Sequence, residues 1–274
     1  THFVDITKLD VVGAAINSNT KVLYCETVSN PLLEVADIEN LAKLAKKHNL
    51  KLVVDNTFSP LSVAPAKLGA DVVIHSLTKF INGSSDTVGG VICASQAFID
   101  DLKNVNSGAS MLLGPTMDSL RAASIMKNLR TLHIRMKQHS YNATYLAEKF
   151  EKDGLKVVYP GLKSHPSHEI YSTMINHEFG FGGMMTIDAG SLDKANALME
   201  LMQHKNLGYL AVSLGFYKTL FSAPGTSTSS EIPMEEQKEM GLTDGLIRLS
   251  IGLDNDIERT YQTMKQCMKE LHVL

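Results

Sequence analysis

The first hundred residues alternate between short apolar runs and amphipathic segments, and this alternation limits the folds open to the chain. Four runs rich in β-branched residues have the composition of buried strands, KVLYCE (21–26), KLVVDNT (51–57), DVVIHS (71–76) and GGVICAS (89–95). Between the first two, residues 37–49 carry a helical pattern that begins at a good N-cap residue, Asp37. Such runs separated by helices predict an α/β fold with a mostly parallel sheet and helices on both faces.

The pattern changes in the second half of the chain. Residues 114–154 are helical in pattern over too long a stretch for one ordinary helix, so we expect a bend near 128–131. Beyond it, four strand candidates interleave with two helix candidates. The strands are 155–159, 183–188, 210–214 and 246–252, and the helices are 191–204 and 255–271. This spacing predicts a smaller α+β domain at 131–274 after a large domain at 1–130.

Composition excludes several classes of function. A formal net charge of −3 over 274 residues, with no cluster of basic residues, gives no electrostatic case for nucleic acid or an anionic membrane. No apolar run reaches the roughly 18 residues of a spanning helix. Three scattered cysteines, Cys25, Cys93 and Cys267, are too few for a disulfide framework or a thiolate metal site. We therefore expect a cytoplasmic protein with no metal site and no nucleic-acid or membrane partner.

Polar residues follow the ends of successive strand candidates in the first half. They are Asn30, Asp55, Ser76, Thr78 and Lys79. Right-handed crossovers bring the carboxyl ends of parallel strands to one edge, where open α/β sheets bind ligands. Taken singly, Asp55 could be a turn residue and Lys79 a surface lysine. Together, an amine, a carboxylate and hydroxyls match the needs of pyridoxal phosphate: a Schiff-base lysine, an acid for the pyridinium nitrogen and phosphate ligands.

Four stretches give the sequence a resemblance to a known family. They are VVDNTFSP (53–60), GADVVIHSLTKFINGSSD (69–86), SLG (213–215) and GLIRLSIG (245–252). Over essentially its whole length, the chain resembles the cysteine/methionine-metabolism family of fold-type I pyridoxal-phosphate enzymes. Within that family it is most similar to the plant-type methionine γ-lyases. The stretches that carry this narrower similarity are GASMLLGPTM (108–117), YPGLKSHPSH (159–168), FGFGGMMTID (179–188) and STSSE (227–231).

The resemblance implies a role for each cofactor-binding residue. Lys79 would form the Schiff base with the cofactor and move protons on the substrate. Asp55 would keep the pyridine nitrogen protonated, and Ser76 and Thr78 would bond the phosphate. Asn30 would lie near the cofactor's ring hydroxyl and the substrate carboxylate.

The resemblance also implies the substrate-binding residues. Arg248 would hold the substrate α-carboxylate, with help from Ser213 and Asn30. From the residues alone, Arg248 shares a strand face with Leu246 and Ser250, and an exposed strand arginine is an equally good interpretation.

The activity implied is carbon–sulfur lysis of an amino acid, above all γ-elimination of methionine to methanethiol, 2-oxobutanoate and ammonia. Cystathionine γ-lyase or cystathionine γ-synthase activity is the alternative within the family. Many relatives have an acidic residue where this chain has Lys218, and a lysine would repel the distal amino group of cystathionine. A different alternative is an inactive truncated homologue that acts as an assembly module.

The resemblance also implies that a segment before Thr1 supplies an aromatic residue that stacks on the cofactor, backbone phosphate ligands, and a Tyr/Arg pair donated across a dimer interface. The strand candidate KVLYCE begins within 21 residues of Thr1, so we expect an upstream segment. The 274 residues alone would then be poor in cofactor and nearly inactive. We expect the longer chain to bind a small amino-acid substrate and to form a homotetramer, built as a dimer of dimers.

Overall fold

A computed structural model describes residues 1–226 and 232–274, and these residues form two β-sheets with helices packed against them. The STSSE stretch lies outside the described residues. The first sheet is built from the first hundred residues, and the second from residues beyond 156.

The first sheet has four strands in sequence order. They are β1 (Val22–Glu26), β2 (Lys51–Asp55), β3 (Val72–Ser76) and β4 (Gly90–Ala94). The first three strands are parallel, and the register pairs Glu26 with Asp55 and Asp55 with Ile74. The carboxyl ends of β1, β2 and β3 therefore meet at one edge, as the sequence predicted.

The fourth strand runs antiparallel to β3, with Ser76 opposite Gly90. The sequence predicts a strand at 89–95 and groups it with the parallel strands. The structure confirms the strand but shows the antiparallel direction. Only residues 77–89 connect β3 to β4, and they contain a single wide helical turn, Leu77–Ile81. A crossover to a parallel neighbour usually contains a full helix that carries the chain back along the sheet, and a five-residue turn is too short for that, so the chain returns antiparallel.

Five helices belong to the first half of the chain. They are α1 (Leu9–Ala15), α2 (Ile38–Lys47), α3 (Gln96–Leu102), α4 (Ala109–Leu113) and α5 (Ser119–Leu129), with a short 3₁₀ turn at Pro65–Leu68. The Asp37 carboxylate caps α2 by accepting the backbone N–H of Asn40 at 3.2 Å. Asp118 caps α5 in the same way, at the backbone N–H groups of Leu120 and Arg121. Each cap satisfies amide groups that have no partner within the helix.

Helix α6 (Leu132–Lys152) joins the two halves of the molecule. The break between α5 and α6 lies at 130–131, next to the expected bend, and Gly154 follows α6 with φ +91°. Leu132 and Met136 pack into the core of the first half, whereas residues 143–150 pack into the core of the second. The division into domains at 1–130 and 131–274 stays a prediction.

The second sheet has five strands in the order β5-β6-β9-β8-β7. They are β5 (Val157–Val158), β6 (Met184–Asp188), β7 (Tyr209–Leu210), β8 (Leu220–Ser222) and β9 (Leu246–Ser250). All neighbours are antiparallel except β7 and β8. The strand expected at 210–214 ends at Leu210, because the chain leaves the sheet there to approach Lys79. Strand β8 was not predicted from the sequence.

Four more helices follow in the second half of the chain. They are α7 (His168–Met174), α8 (Leu192–His204), α9 (Met234–Glu239) and α10 (Ile257–Glu270), with a 3₁₀ turn at Pro224–Thr226. Helices α8 and α10 pack on the second sheet, whereas α7 places Tyr171 and Met174 in the core of the first half. Ser191 caps α8 and Asp256 caps α10, close to the starts expected from the sequence. Within residues 1–226 and 232–274, no helix is both long and apolar enough to cross a membrane.

Candidate active site

Lys79 lies in the helical turn that follows β3, at the edge where the parallel strands end. The backbone leaves the helical conformation at Lys79 itself (φ −90°, ψ −130°). Two hydrogen bonds close the turn around it, from the Asn82 N–H to the Leu77 carbonyl (2.9 Å) and from the Gly83 N–H to the Lys79 carbonyl (2.8 Å). The Lys79 Nζ donates to the Ser213 hydroxyl at 3.2 Å. Lys79 is therefore a half-buried lysine with a specific partner and not a free surface cation.

Asp55 is the last residue of β2, beside the end of β3. Its Oδ1 accepts the backbone N–H of Thr57 at 2.9 Å, which is the turn-forming role that any aspartate could have here. Its Oδ2 faces the Tyr24 hydroxyl at 3.4 Å, on a face of the sheet where Tyr24 is exposed. One carboxylate oxygen thus fixes the turn, and the other accepts only a long hydrogen bond from an exposed tyrosine.

The hydroxyls predicted to hold a phosphate lie around the same turn. The Thr78 hydroxyl accepts the Gly89 N–H at 3.1 Å and makes a longer contact of 3.4 Å to the Gly89 carbonyl. The Ser76 N–H donates to the Thr57 hydroxyl at 2.8 Å, which joins the ends of β2 and β3. Among the described residues the Ser76 hydroxyl makes no hydrogen bond. A bound oxyanion could accept hydrogen bonds from both hydroxyls without disturbing the strands.

Arg248 lies in the middle of β9 and is 2% exposed, so it is not the exposed strand arginine that its sequence context allowed. Its Nη1 donates to the Asn30 side-chain oxygen at 2.8 Å, and its Nη2 donates to the Ser213 carbonyl at 3.2 Å. Its Nε has no hydrogen-bond partner among the described residues. A buried guanidinium bonded only to neutral oxygens, with one N–H unsatisfied, is suited to receive a carboxylate.

The loop that contains Ser213 connects the two halves of the site. Its hydroxyl accepts from Lys79 and its carbonyl accepts from Arg248. Two residues later, Gly215 has φ +74°, and a Cβ built there would lie 2.3 Å from the Phe80 nitrogen. Only glycine allows this close approach, which presses the loop directly against the lysine-bearing turn.

Burial lowers the pKa of Lys79, and the positive charge of Arg248 lowers it further. Burial likewise lowers the pKa of Arg248, to about 10. Neither cation has a carboxylate in ion-pairing distance among residues 1–226 and 232–274. The neutral amine of Lys79 is therefore easier to reach than in an ordinary lysine, and Arg248 is left without a counter-ion.

The sequence interpretation missed Glu26, which ends β1 beside Asp55. Its Oε2 accepts the backbone N–H of Asn30 at 2.9 Å and so helps to orient the residue that contacts Arg248. Burial raises the pKa of Glu26, and the neighbouring Asp55 carboxylate raises it further. Glu26 follows the same rule as Asp55, a carboxylate at the end of a parallel strand, so that rule could have identified it.

The two histidines of HPSH serve the local fold. The Nδ1 of His165 accepts the Ser167 N–H at 3.1 Å, and the Nδ1 of His168 lies 3.0 Å from the Pro160 carbonyl. In the part of the chain that the structure describes, no group of three or more His, Cys, Asp or Glu side chains is placed to hold a metal ion.

A family model for Cys/Met metabolism PLP-dependent enzymes matches residues 1–269. The chain belongs to this family. The resemblance inferred from VVDNT, HSLTK and LIRLS is therefore confirmed, and so is the cofactor, since the family is PLP-dependent. Where each predicted residue contacts that cofactor stays a prediction.

Proteins of known function and structure show the same relationship. The chain is 43% identical over 263 residues to methionine gamma-lyase from Arabidopsis thaliana, covering 95% of this chain and 60% of that protein. It is 38% identical over 273 residues to cystathionine gamma-lyase from Bacillus subtilis, covering 98% and 69%. The chain thus spans 60% of the Arabidopsis protein's length.

A solved structure of cystathionine gamma-lyase from Lactobacillus plantarum, complexed with L-serine, superposes with a TM-score of 0.89 at 30% identity. The match covers 98% of this chain and 69% of that one. The predicted fold class, a fold-type I PLP-dependent transferase-like α/β fold with an additional C-terminal α+β unit, is confirmed by this match.

The residues of the site fit pyridoxal phosphate. Lys79 has an amine with a lowered pKa that would suit the aldehyde, and Asp55 has a carboxylate oxygen that would suit the pyridine nitrogen. The hydroxyls of Ser76 and Thr78 would suit the phosphate, and the unpartnered Nε of Arg248 would suit an amino-acid carboxylate. The aldehyde, ring nitrogen and phosphate of the cofactor and the carboxylate of an amino acid would each have a complementary side chain here.

Proposed function

We propose that the protein is a PLP-dependent carbon–sulfur lyase whose main reaction is γ-elimination of methionine. One observation carries the proposal: the Ser213 loop holds an amine, Lys79, and a buried guanidinium with an unpaired N–H, Arg248, on either side of itself. An amino-acid substrate needs both groups, one beside its α-carbon and one at its carboxylate. The names of the Arabidopsis and Bacillus relatives support the same class of reaction.

The bound cofactor would supply an electron sink that stabilises negative charge on the substrate carbons next to the amine. Asp55 would hold the proton on the pyridine nitrogen, and Ser76 and Thr78 would donate hydrogen bonds to the phosphate. Arg248 would bind the α-carboxylate, and Asn30 would keep the guanidinium in place. These contacts would fix the substrate α-carbon and β-carbon within reach of Lys79.

Lys79 would act as the general base and acid of the reaction. Its lowered pKa makes the neutral amine easier to reach than in an ordinary lysine. The neutral amine would take the proton from the α-carbon, release that proton again, and then, once more neutral, take a proton from the β-carbon. Methanethiolate would leave from the γ-carbon and accept a proton. Water would then release the nitrogen as ammonia, so that methionine and one water give methanethiol, 2-oxobutanoate and ammonia.

Methionine is proposed ahead of cystathionine because of Lys218. This lysine is exposed, five residues after Ser213, and its Nζ lies 3.4 Å from the Tyr209 hydroxyl and 5.4 Å from the centre of the Tyr209 ring. Its positive charge would repel the distal ammonium of cystathionine, whereas the methyl thioether of methionine carries no charge. Cystathionine γ-lyase or γ-synthase activity is the alternative.

Homo-oligomerisation, as a dimer of dimers, belongs to the same proposal. Val88, Leu113 and Leu120 are each at least 80% exposed, and Met111 and Leu112, which precede Leu113 in sequence, are exposed as well. Three consecutive exposed apolar residues at 111–113 favour a protein partner, and a second copy of the chain is the partner we propose. We also propose a cytoplasmic location, which agrees with three free cysteines.

Product analysis of the full-length, cofactor-loaded protein tests this proposal. L-methionine, L-cystathionine and L-cysteine would be supplied separately, and methanethiol, hydrogen sulfide, 2-oxo acid and ammonia would be measured. We expect methanethiol and 2-oxobutanoate in equal amounts from methionine. The variant Lys218→Glu should raise the activity on cystathionine relative to methionine. A wild-type preference for cystathionine would favour the alternative lyase, and no product from any substrate would favour an assembly module.

A further inference from the structure

Helix α6 carries a row of polar residues that contact the Lys79 turn and the end of β9. Arg135, His139 and Asn142 follow a spacing of four and three residues, which places them on one side of the helix. The Asn142 side-chain nitrogen donates to the Gly252 carbonyl at 2.9 Å, and the His139 Nδ1 lies 2.6 Å from the Ile251 carbonyl. His139 and Asn142 therefore contact the two residues that follow β9, the strand that carries Arg248. Arg135 contacts the turn that carries Lys79.

Arg135 donates hydrogen bonds from all three of its guanidinium nitrogens. The Nη1 donates to the Phe80 carbonyl, and the Nη2 donates to the Ile81 carbonyl at 2.8 Å and to the Asn128 carbonyl at 3.1 Å. The Nε donates to the Thr131 hydroxyl at 3.1 Å. Two of these acceptors belong to the residues immediately after Lys79. A single planar side chain thus holds the lysine-bearing turn to helix α6.

No carboxylate forms an ion pair with Arg135 in residues 1–226 and 232–274, and burial lowers its pKa. Arg135 is half-buried, and removing a cation from water without a counter-ion is costly, so its hydrogen bonds to carbonyls and to the Thr131 hydroxyl must offset that cost. Arg248 is buried and also lacks a counter-ion, but it keeps one N–H unbonded. Arg248 is therefore suited to a ligand, whereas the guanidinium nitrogens of Arg135 are all bonded within the protein.

The turn is shaped around this guanidinium. A Cβ built on Gly83 would lie 2.4 Å from the Arg135 Nη1, and Gly83 has φ +73°. The Gly83 N–H in turn donates to the Lys79 carbonyl at 2.8 Å. The backbone from Lys79 to Gly83 therefore passes directly over Arg135, and the guanidinium occupies the space that a side chain at position 83 would need.

We propose that Arg135 is a positioning residue that fixes the backbone of the Lys79 turn, and with it the place from which the Lys79 amine reaches the substrate. A Lys79 amine displaced by a fraction of an ångström would still bind cofactor but would transfer protons poorly. The effect on catalysis rests on the proposed lyase function, whereas the effect on the turn does not.

The test compares Arg135→Gln and Arg135→Lys with Lys137→Gln in the full-length, cofactor-loaded protein. Lys137 is on the exposed side of α6, where it pairs with Glu178, so its loss removes the same charge from the same helix without touching the turn. For Arg135→Gln we expect kcat on methionine to fall about 10²-fold. KM should change less than about threefold, because the carboxylate site is intact. Arg135→Lys should recover part of kcat, since it keeps the charge but not the planar fork.

Hydrogen exchange of the Asn82 and Gly83 amides provides a measurement independent of activity. In Arg135→Gln these two amides should exchange faster than in Lys137→Gln, while amides in β6 and β9 keep their protection. Faster exchange throughout the protein would mean a general structural role and would overturn the proposal. Unchanged exchange at both amides would overturn it as well. If Arg135→Gln does not fold, Arg135→Lys decides by the same comparison, and if the wild type lacks lyase activity the exchange result still stands.

Discussion

Asp55 and Lys79 lie at the edge of a sheet whose nearby residues are partly open, whereas Arg248 lies on a strand that is buried along its whole length. On the first sheet, Tyr24 beside Asp55 is 56% exposed. On the second, every residue of β9 is buried, and Arg248 is 2% exposed. The two halves of one site therefore have very different surroundings.

This difference indicates how each half would meet its ligand. The Arg248 half is already built, with Asn30 and Ser213 holding the guanidinium and one N–H unsatisfied. On the Lys79 half, Asp55 and Thr78 bond their own backbone neighbours and would gain further partners from a cofactor. We expect substitutions on the buried half to affect substrate recognition and substitutions on the open half to affect cofactor retention.

The largest effect should come from Arg248→Ala. Loss of a buried partner for the carboxylate should lower kcat/KM on methionine by about 2–5 kcal/mol, or about 30-fold to several thousand-fold. Cofactor retention should barely change. Arg259→Ala, on the exposed side of α10, is the matched control. Steady-state kinetics on methionine and on its decarboxylated analogue would check this, because Arg248→Ala should treat the two alike. If Arg248→Ala still strongly preferred methionine over the decarboxylated analogue, Arg248 would not be the carboxylate-binding residue, and the contrast between the two halves would fail.

Asp55→Ala should have a smaller effect, and it should act on cofactor affinity where Arg248→Ala acts on substrate recognition. A charge-assisted hydrogen bond to the pyridine nitrogen contributes about 1.5–3 kcal/mol, so cofactor affinity should fall about tenfold to 150-fold. Turnover should also fall at saturating cofactor, because the ring nitrogen would no longer be held protonated. Equilibrium dialysis and steady-state kinetics measure these two quantities, with Asp101→Ala on the surface as control. Near-native turnover of Asp55→Ala would show that Asp55 only shapes the turn.

The smallest effect concerns the coupling between the two halves. Burial lowers the pKa of Lys79, and the charge of Arg248 lowers it further. Because cofactor loading requires the neutral amine, removing that charge in Arg248→Met should raise the Lys79 pKa and move the pH profile of loading to higher pH. Stopped-flow absorbance across a pH series would measure the midpoint. An unchanged midpoint, or one at lower pH, would mean that the two groups are electrostatically independent.

Much of the open half could be predicted from sequence. Asp55, Ser76 and Lys79 follow short runs of β-branched residues, and the geometry of parallel strands brings such ends together. The antiparallel direction of β4 could not be derived from its apolar run, because that run would suit either direction. Its direction depends on the short connection through Leu77–Ile81.

The buried half was harder to predict because its contacts join residues far apart in sequence. The Arg248 guanidinium meets Asn30, 218 residues away, and Ser213 meets Lys79, 134 residues away. Local patterning carries no information on such pairs, so from residues alone Arg248 could equally be exposed. Arg135 was missed for the same reason, since on a helix it has no feature that separates it from Arg130 or Lys137.

Borohydride reduction of the full-length, cofactor-loaded protein, followed by peptide mapping, tests the central claim most directly. The claim is that the turn after β3 holds the one lysine that binds the cofactor covalently. We expect the reduced pyridoxyl group on Lys79, and its loss in Lys79→Ala. A label on any other lysine, or retention of the label in Lys79→Ala, would contradict the account.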